Sequence, residues 1–250
     1  MTVRSPHRVG LVVPSSNTTM ETELPELLRR HPVASGFTFH SSRATLHAVD
    51  PQSLRRLVDQ MERCTAEVAD ADVDAIAYAC LIAIAAQGPN AHEEAEARIA
   101  DAAARASCTA PVTSSAGALV RGLRVLGVST VAIVTPYVEP LTQCLIEYLA
   151  GYGVTVCDSI SLEVDDNRAV ARLDPAGLPA HAERLDLRDA QAVVLSACVQ
   201  MPSLEAIQPV QDALGLPVLS AATATARELL TSLGLEPVVP QGGALLGCAP

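Results

Sequence analysis

Tryptophan is absent from these 250 residues and phenylalanine occurs only twice. Large aromatic rings therefore cannot dominate the interior, and the abundant Ala, Val and Leu point to closely packed aliphatic helices and strands. No apolar run approaches the roughly 20 residues that span a bilayer. The opening Met1-Thr2-Val3-Arg4-Ser5-Pro6-His7-Arg8 lacks the apolar stretch of a secretory signal. A cytoplasmic protein is expected, with its seven cysteines reduced rather than paired into a disulfide framework. No CxxC pair and no His/Cys cluster has zinc-ligand spacing. There is no GxGxxG, P-loop or HExxH, so no nucleotide or metal cofactor is indicated. The formal charge of −11 argues against nucleic acid and anionic membranes as partners. A small anion is not excluded, because helix N-termini hold anions through backbone N–H groups that a charge count does not register.

What is present is a pair of apolar runs that end on cysteine. Ala75-Ile76-Ala77-Tyr78-Ala79-Cys80 and Ala192-Val193-Val194-Leu195-Ser196-Ala197-Cys198 each read as a buried parallel strand. In an open α/β sheet the residue just past the strand's carboxyl end faces the ligand crevice. Either cysteine alone reads more readily as a small buried hydrophobe than as a catalyst; their matched positions shift the reading toward function. The match extends further. Val9-Gly10-Leu11-Val12-Val13-Pro14 is similar to Val131-Ala132-Ile133-Val134-Thr135-Pro136, and Pro111-Val112-Thr113-Ser114-Ser115-Ala116 to Pro217-Val218-Leu219-Ser220-Ala221-Ala222. The order is the same in both halves, a duplication of about a hundred residues per copy. Two pseudo-symmetric lobes would set the cysteines opposite one another across a cleft.

The periodicity predicts strands over 8–13, 36–43, 73–79, 110–113, 130–135, 153–159, 191–197 and 217–219. Helices are expected over 53–70, 91–107, 114–126, 141–150, 175–187 and 221–233, with one more after Met201-Pro202-Ser203. Ser16, Asn17 or Thr18 caps the turn after the first strand, and Thr18 with Glu21 has capping-box spacing. That turn is either an ordinary cap or a polar edge that presents N–H groups and the Asn17 amide. Tyr137 occupies the equivalent turn of the second half, as a core plug or as a hydroxyl donor. Cys64 reads as core, His92 as a first-turn surface residue, Glu163–Arg168 as a solvated loop, and Gln241-Gly242-Gly243 as a loose tail.

The segments Val13-Pro14-Ser15-Ser16-Asn17-Thr18-Thr19-Met20-Glu21-Thr22-Glu23, Tyr78-Ala79-Cys80-Leu81, Val134-Thr135-Pro136-Tyr137, Asp166-Asn167 and Cys198-Val199-Gln200-Met201-Pro202-Ser203 together resemble the maleate cis-trans isomerases. Those enzymes belong to the aspartate/glutamate racemase superfamily, and the likeness runs through nearly the whole chain. It implies an α/β fold of two flavodoxin-like lobes, each a mostly parallel four-stranded sheet flanked by helices, with the active site between them. The expected division is 1–117 and 118–220, with 221–250 packing back on the first lobe. The resemblance further implies a homodimer, no cofactor and a small dicarboxylate substrate. It makes Cys80 the nucleophile and Cys198 a second, acid/base cysteine. Asn17, Tyr137 and Asn167 would hold carboxylates, with Leu81 and Val199 lining the substrate site.

Relatives that racemise amino acids carry Asn-Thr after the first cysteine. Leu81-Ile82 stands there instead, and Val199-Gln200 follows the second, leaving no polar partners for an ammonium group. Racemisation or decarboxylation of another small carboxylate by the same pair is the alternative chemistry. A non-catalytic carboxylate-binding protein is the alternative class.

Overall fold

A computed structural model describes residues 5–33, 35–46 and 49–247. Met1 to Arg4 of the opening segment and Cys248 to Pro250 of the tail lie outside the described residues. The chain forms two four-stranded sheets with identical order. The first contains β1 (His7–Pro14), β2 (Phe37–Ala44), β3 (Ala75–Tyr78) and β4 (Val112–Ser114), arranged β2-β1-β3-β4. The second contains β5 (Thr130–Thr135), β6 (Thr155–Ser161), β7 (Ala192–Ser196) and β8 (Val218–Ser220), arranged β6-β5-β7-β8. Every pairing is parallel.

Parallel strands joined by crossover helices are covered on both faces, so the inner ones are apolar throughout. Val9, Leu11, Val12 and Val13 of β1 and Val131 to Val134 of β5 are fully buried. The edge strands β2 and β6 are only partly covered, which explains their mixed sequences. Helix Ala221–Ser232 leaves the second sheet and packs on helices Ser115–Val125 and Glu23–Arg29 of the first. No helix of the described residues is long and apolar enough to cross a membrane.

The eight expected strands are all present, within a few residues of their expected ends. Other expectations need correction. The helix expected over 53–70 is two helices, Pro51–Asp59 and Met61–Ala69. A tight turn at Gln60 separates them, its side chain diverted to the Thr45 backbone. The helix expected over 175–187 shrinks to Leu178–Ala182 after a short 3-10 turn. Beyond it the Asp158 carboxylate captures the Asp186 N–H at 2.7 Å and draws the chain toward β6.

The tail is not loose. Leu245 and Leu246 are buried, and Ala244 N–H donates to the Gln211 side chain at 2.6 Å. Gly243 has φ +75° and lies where an added Cβ would sit 2.5 Å from the Val218 carbonyl, so only glycine fits. His92 is not a surface residue. Its Nδ1 lies 2.6 Å from the Tyr148 hydroxyl and its ring 4.7 Å from that of Tyr152, because the start of helix Ala91–Arg105 docks on helix Glu139–Gly151 of the other lobe.

Candidate active site

The duplicated topology brings equivalent backbone ends together. Ala79 follows β3 and donates its N–H to the Val12 carbonyl of the adjacent strand at 2.9 Å; Ala197 follows β7 and donates to Val134 at 3.0 Å. Cys80 and Cys198 are the next residues in each case. Each inner strand thus delivers a thiol at the carboxyl edge of its sheet. Both thiols line one small cavity, with free space of about 20 Å³, together with Asn17, Leu81, Tyr137, Asn167 and Val199. The structure therefore assembles all the residues singled out in the sequence. It adds Leu46, Val49, Ile82 and Gln200 to the wall. Leu46 and Val49 follow β2 and carry no local signal, since only the sheet order places them beside β1.

The turn after β1 is held rigidly. Arg43 of β2 donates to the carbonyls of Ser15 at 3.0 Å and Asn17 at 2.8 Å and pairs with Glu21. The expected Thr18–Glu21 capping box does not form: the Thr18 side chain makes no cap bond, and Glu21 is engaged by Arg43. Asn17 does the capping instead. Its Oδ1 accepts from the Met20 N–H at 3.1 Å, which fixes the amide's orientation. Its Nδ2 is then a buried donor with no hydrogen-bond partner among the described residues. Leaving such a group unsatisfied costs about 1–3 kcal/mol, so this atom is a vacancy for an acceptor.

Asn167 is not in a solvated loop. It opens a short helix, Asn167–Val170, capped by the Asp166 side chain, and is buried while Asp165 and Asp166 stay exposed. Its Nδ2 donates to the Ser16 hydroxyl at 2.6 Å, across the lobes. Tyr137 is buried and lines the cavity with Cys198.

Burial favours the protonated form of both thiols. Burial pushes Cys80 up to about 12; the Ala83 N–H at the start of helix Leu81–Ala85 pulls the other way and is outweighed, while Cys198 adds to the rise. A helix N-terminus ordinarily lowers a neighbouring thiol; here burial reverses that direction. Burial also raises Cys198, against three opposing donors: Tyr137 and the N–H groups of Gln200 and Met201. Among the described residues no group of carboxylate, His and Cys side chains could hold a metal ion.

A family model described as arylmalonate decarboxylase matches residues 9–246. The maleate isomerase of Geobacillus stearothermophilus is 52% identical over 242 residues, 96% of each chain. The crystal structure of a Pseudomonas putida maleate isomerase with maleate superposes with a TM-score of 0.95 at 44% identity, covering 97% of this chain and 98% of that one. A cysteine-to-serine mutant of the Nocardia farcinica maleate cis-trans isomerase, carrying a covalently bound succinylcysteine intermediate, superposes with a TM-score of 0.94 at 47% identity, with coverage of 97% and 98%.

Proposed function

Because this chain belongs to the maleate isomerases, within the arylmalonate decarboxylase family, we propose that it converts maleate to fumarate by adding the Cys80 thiolate to the C=C bond. One observation carries the reading. Asn17 lines the cavity that holds both thiols and its buried Nδ2 has no partner among the described residues, so a carboxylate that meets this donor comes to rest beside Cys80 and Cys198. Asn17, Tyr137 and Asn167 hold the substrate's carboxylates, and Leu81 and Val199 form apolar wall. That wall gives an ammonium group nothing to bond and disfavours amino acids.

The central C=C of maleate does not rotate. When Cys80 gives its proton to solvent and the resulting thiolate bonds one olefinic carbon, the π pair moves to the neighbouring carbon and into its carboxylate, and the central bond becomes single. The extra negative charge needs preorganised donors, which the amides of Asn17 and Asn167 and the Tyr137 hydroxyl supply. Rotation follows. The electron pair then re-forms the double bond and expels the thiolate, giving fumarate. Nothing is oxidised or reduced and no atom is gained, so the reaction requires no cofactor. Cys198 lies beside the second olefinic carbon as the acid/base group.

Incubating reduced protein with maleate and no added cofactor should yield fumarate, and iodoacetamide should abolish that turnover unless maleate protects. A folded, reduced protein that leaves maleate untouched refutes the proposal. Turnover of aspartate, glutamate or aryl malonates instead would show that the cysteine pair serves another reaction. The same reading makes the enzyme cytoplasmic and homodimeric; a monomer mass in light scattering at micromolar concentration would contradict the dimer.

A further inference from the structure

The loop that carries Cys198 is fastened from the opposite lobe. Inside the loop, Ser196 Oγ donates to the Cys198 carbonyl at 2.8 Å, and Gln200 N–H points at the Cys198 sulfur at 3.4 Å. Across the cleft, the Thr19 hydroxyl donates to the Gln200 carbonyl at 2.6 Å. Four residues on, Glu23 Oε1 accepts from the N–H groups of Ser203, at 2.5 Å, and Leu204, at 2.7 Å. These are the first donors of helix Leu204–Leu214. Ser203 stands at its N-cap position but makes no capping bond with its own side chain. A carboxylate from the first lobe takes its place, suited to the helix N-terminus by charge.

This is a costly way to cap a helix. The second oxygen of Glu23 is buried and has no partner among the described residues, and burial raises its pKa against the pull of both N–H donors. A serine hydroxyl caps a helix without burying a charge. What the carboxylate adds is registry between lobes, since it fixes the end of the Cys198 loop to the element that begins at Asn17.

Resting on the isomerase reading above, we propose that Glu23 is a positioning residue that holds the Cys198 thiol against the substrate carbon opposite Cys80. It touches no substrate. Without it the loop is held through Thr19, through the Gln200 side chain on the Asn167 carbonyl and by its own turn, none of which fixes its far end. A displaced Cys198 leaves the carbanion open to a proton from water. The product is a succinyl group on Cys80, the C–S bond intact and one proton gained from solvent. Release then requires removal of a proton next to a carboxylate with no positioned base, a loss worth typically 10²–10⁴-fold.

The test compares the parent with Cys198→Ala, Glu23→Ala, Glu23→Asp and Glu23→Gln, each incubated with maleate and read by fumarate yield and intact mass. Cys198→Ala should gain one maleic acid mass. Glu23→Ala should show the same adduct with turnover down ~10-fold or more. Glu23→Asp keeps the charge but is one methylene short, and should behave likewise even if the alanine variant folds poorly. Glu23→Gln keeps an acceptor at the same reach and should restore most turnover with little adduct. A merely structural role would lower the amount of folded protein without changing the ratio of adduct to fumarate. If Cys198→Ala accumulates adduct while neither the alanine nor the aspartate variant of Glu23 does, the positioning role is overturned. If the parent makes no fumarate and Cys198→Ala no adduct, the isomerase reading itself fails.

Discussion

The Asn167 side chain donates a 2.6 Å hydrogen bond to the Ser16 hydroxyl on the opposite lobe, and Gln200 in turn donates to the Asn167 carbonyl. One amide therefore joins the lobes at the mouth of the turn that ends in Asn17. A carboxylate entering the cavity would compete with Ser16 for that amide, whereas the Asn17 Nδ2 has no partner among the described residues.

Asn17→Ala and Asn167→Ala should each lower kcat/KM by roughly 10- to 100-fold, the worth of one hydrogen bond to a charged group at about 1.5–3 kcal/mol. Asn17→Ala also loses the bond to the Met20 N–H, so its melting temperature should drop more than that of Asn167→Ala. Steady-state kinetics on both variants decide the matter, since normal turnover in both would remove these residues from the site.

Tyr137→Phe tests the hydroxyl while keeping the ring. A bond from this hydroxyl to the Cys198 thiolate would hold that thiol lower than burial alone. Removing it should raise the Cys198 pKa further and slow its alkylation at pH 8, with turnover down ~10-fold or more. Unchanged alkylation of Cys198, measured by peptide mapping, would show that the bond does not tune the thiol.

The eight strands and the paired cysteines were legible because period, burial and duplication all point the same way along β1, β3, β5 and β7. Asn167 was ambiguous: Asp165, Asp166 and Arg168 around it are exposed, and nothing local marks the one residue of the four that turns inward. His92 misled for the opposite reason. The first turn of a helix is usually solvated, and only docking of a distant helix bearing Tyr148 and Tyr152 buries it. The reversed pKa of Cys80 was equally hidden, since sequence shows the helix that follows but not the depth of the cavity.

Gly117 gives a stability test remote from the thiols. An added Cβ would lie 2.5 Å from Glu96 Oε1, 2.7 Å from the His92 ring and 2.9 Å from an Arg121 nitrogen. Arg121 is bidentate to Glu96 and also bonds Glu228, tying three helices together. Gly117→Ala must displace this network and should cost about 1–3 kcal/mol, lowering the melting temperature by roughly 2–4 °C for each kcal/mol. An unshifted melting curve would show that the network yields freely.

The Cys80 thiol makes a pH prediction. A free thiol ionises near pH 8.5, so its alkylation rate levels off about one unit above that. With Cys80 pushed up to about 12, its alkylation by iodoacetamide should rise about tenfold per pH unit through pH 9 without levelling. A plateau by pH 9 would mean that the thiol is not held neutral. Stability should follow the same group. The folded chain keeps a proton that the unfolded chain loses above about pH 8.5, so this contribution is complete below that pH and disappears progressively toward pH 12.

The two cysteines should differ in what they trap. Cys80→Ala removes the nucleophile, and Cys198, set against the other olefinic carbon, should form no adduct with maleate. Cys198→Ala retains the nucleophile, so a succinyl group should build up and map to the peptide carrying Cys80, while the parent shows little. The asymmetry is not obvious from the fold, because both thiols follow equivalent strands and both are buried. It rests on the assignment of Cys80 as the nucleophile, made on the family resemblance; the Gln200 N–H points at the Cys198 sulfur at 3.4 Å, and Tyr137 lines the same cavity. An adduct on Cys198 in Cys80→Ala, with none on Cys80 in the reciprocal variant, would invert the assignment. Adducts in both variants would mean that the duplicated lobes present interchangeable thiols.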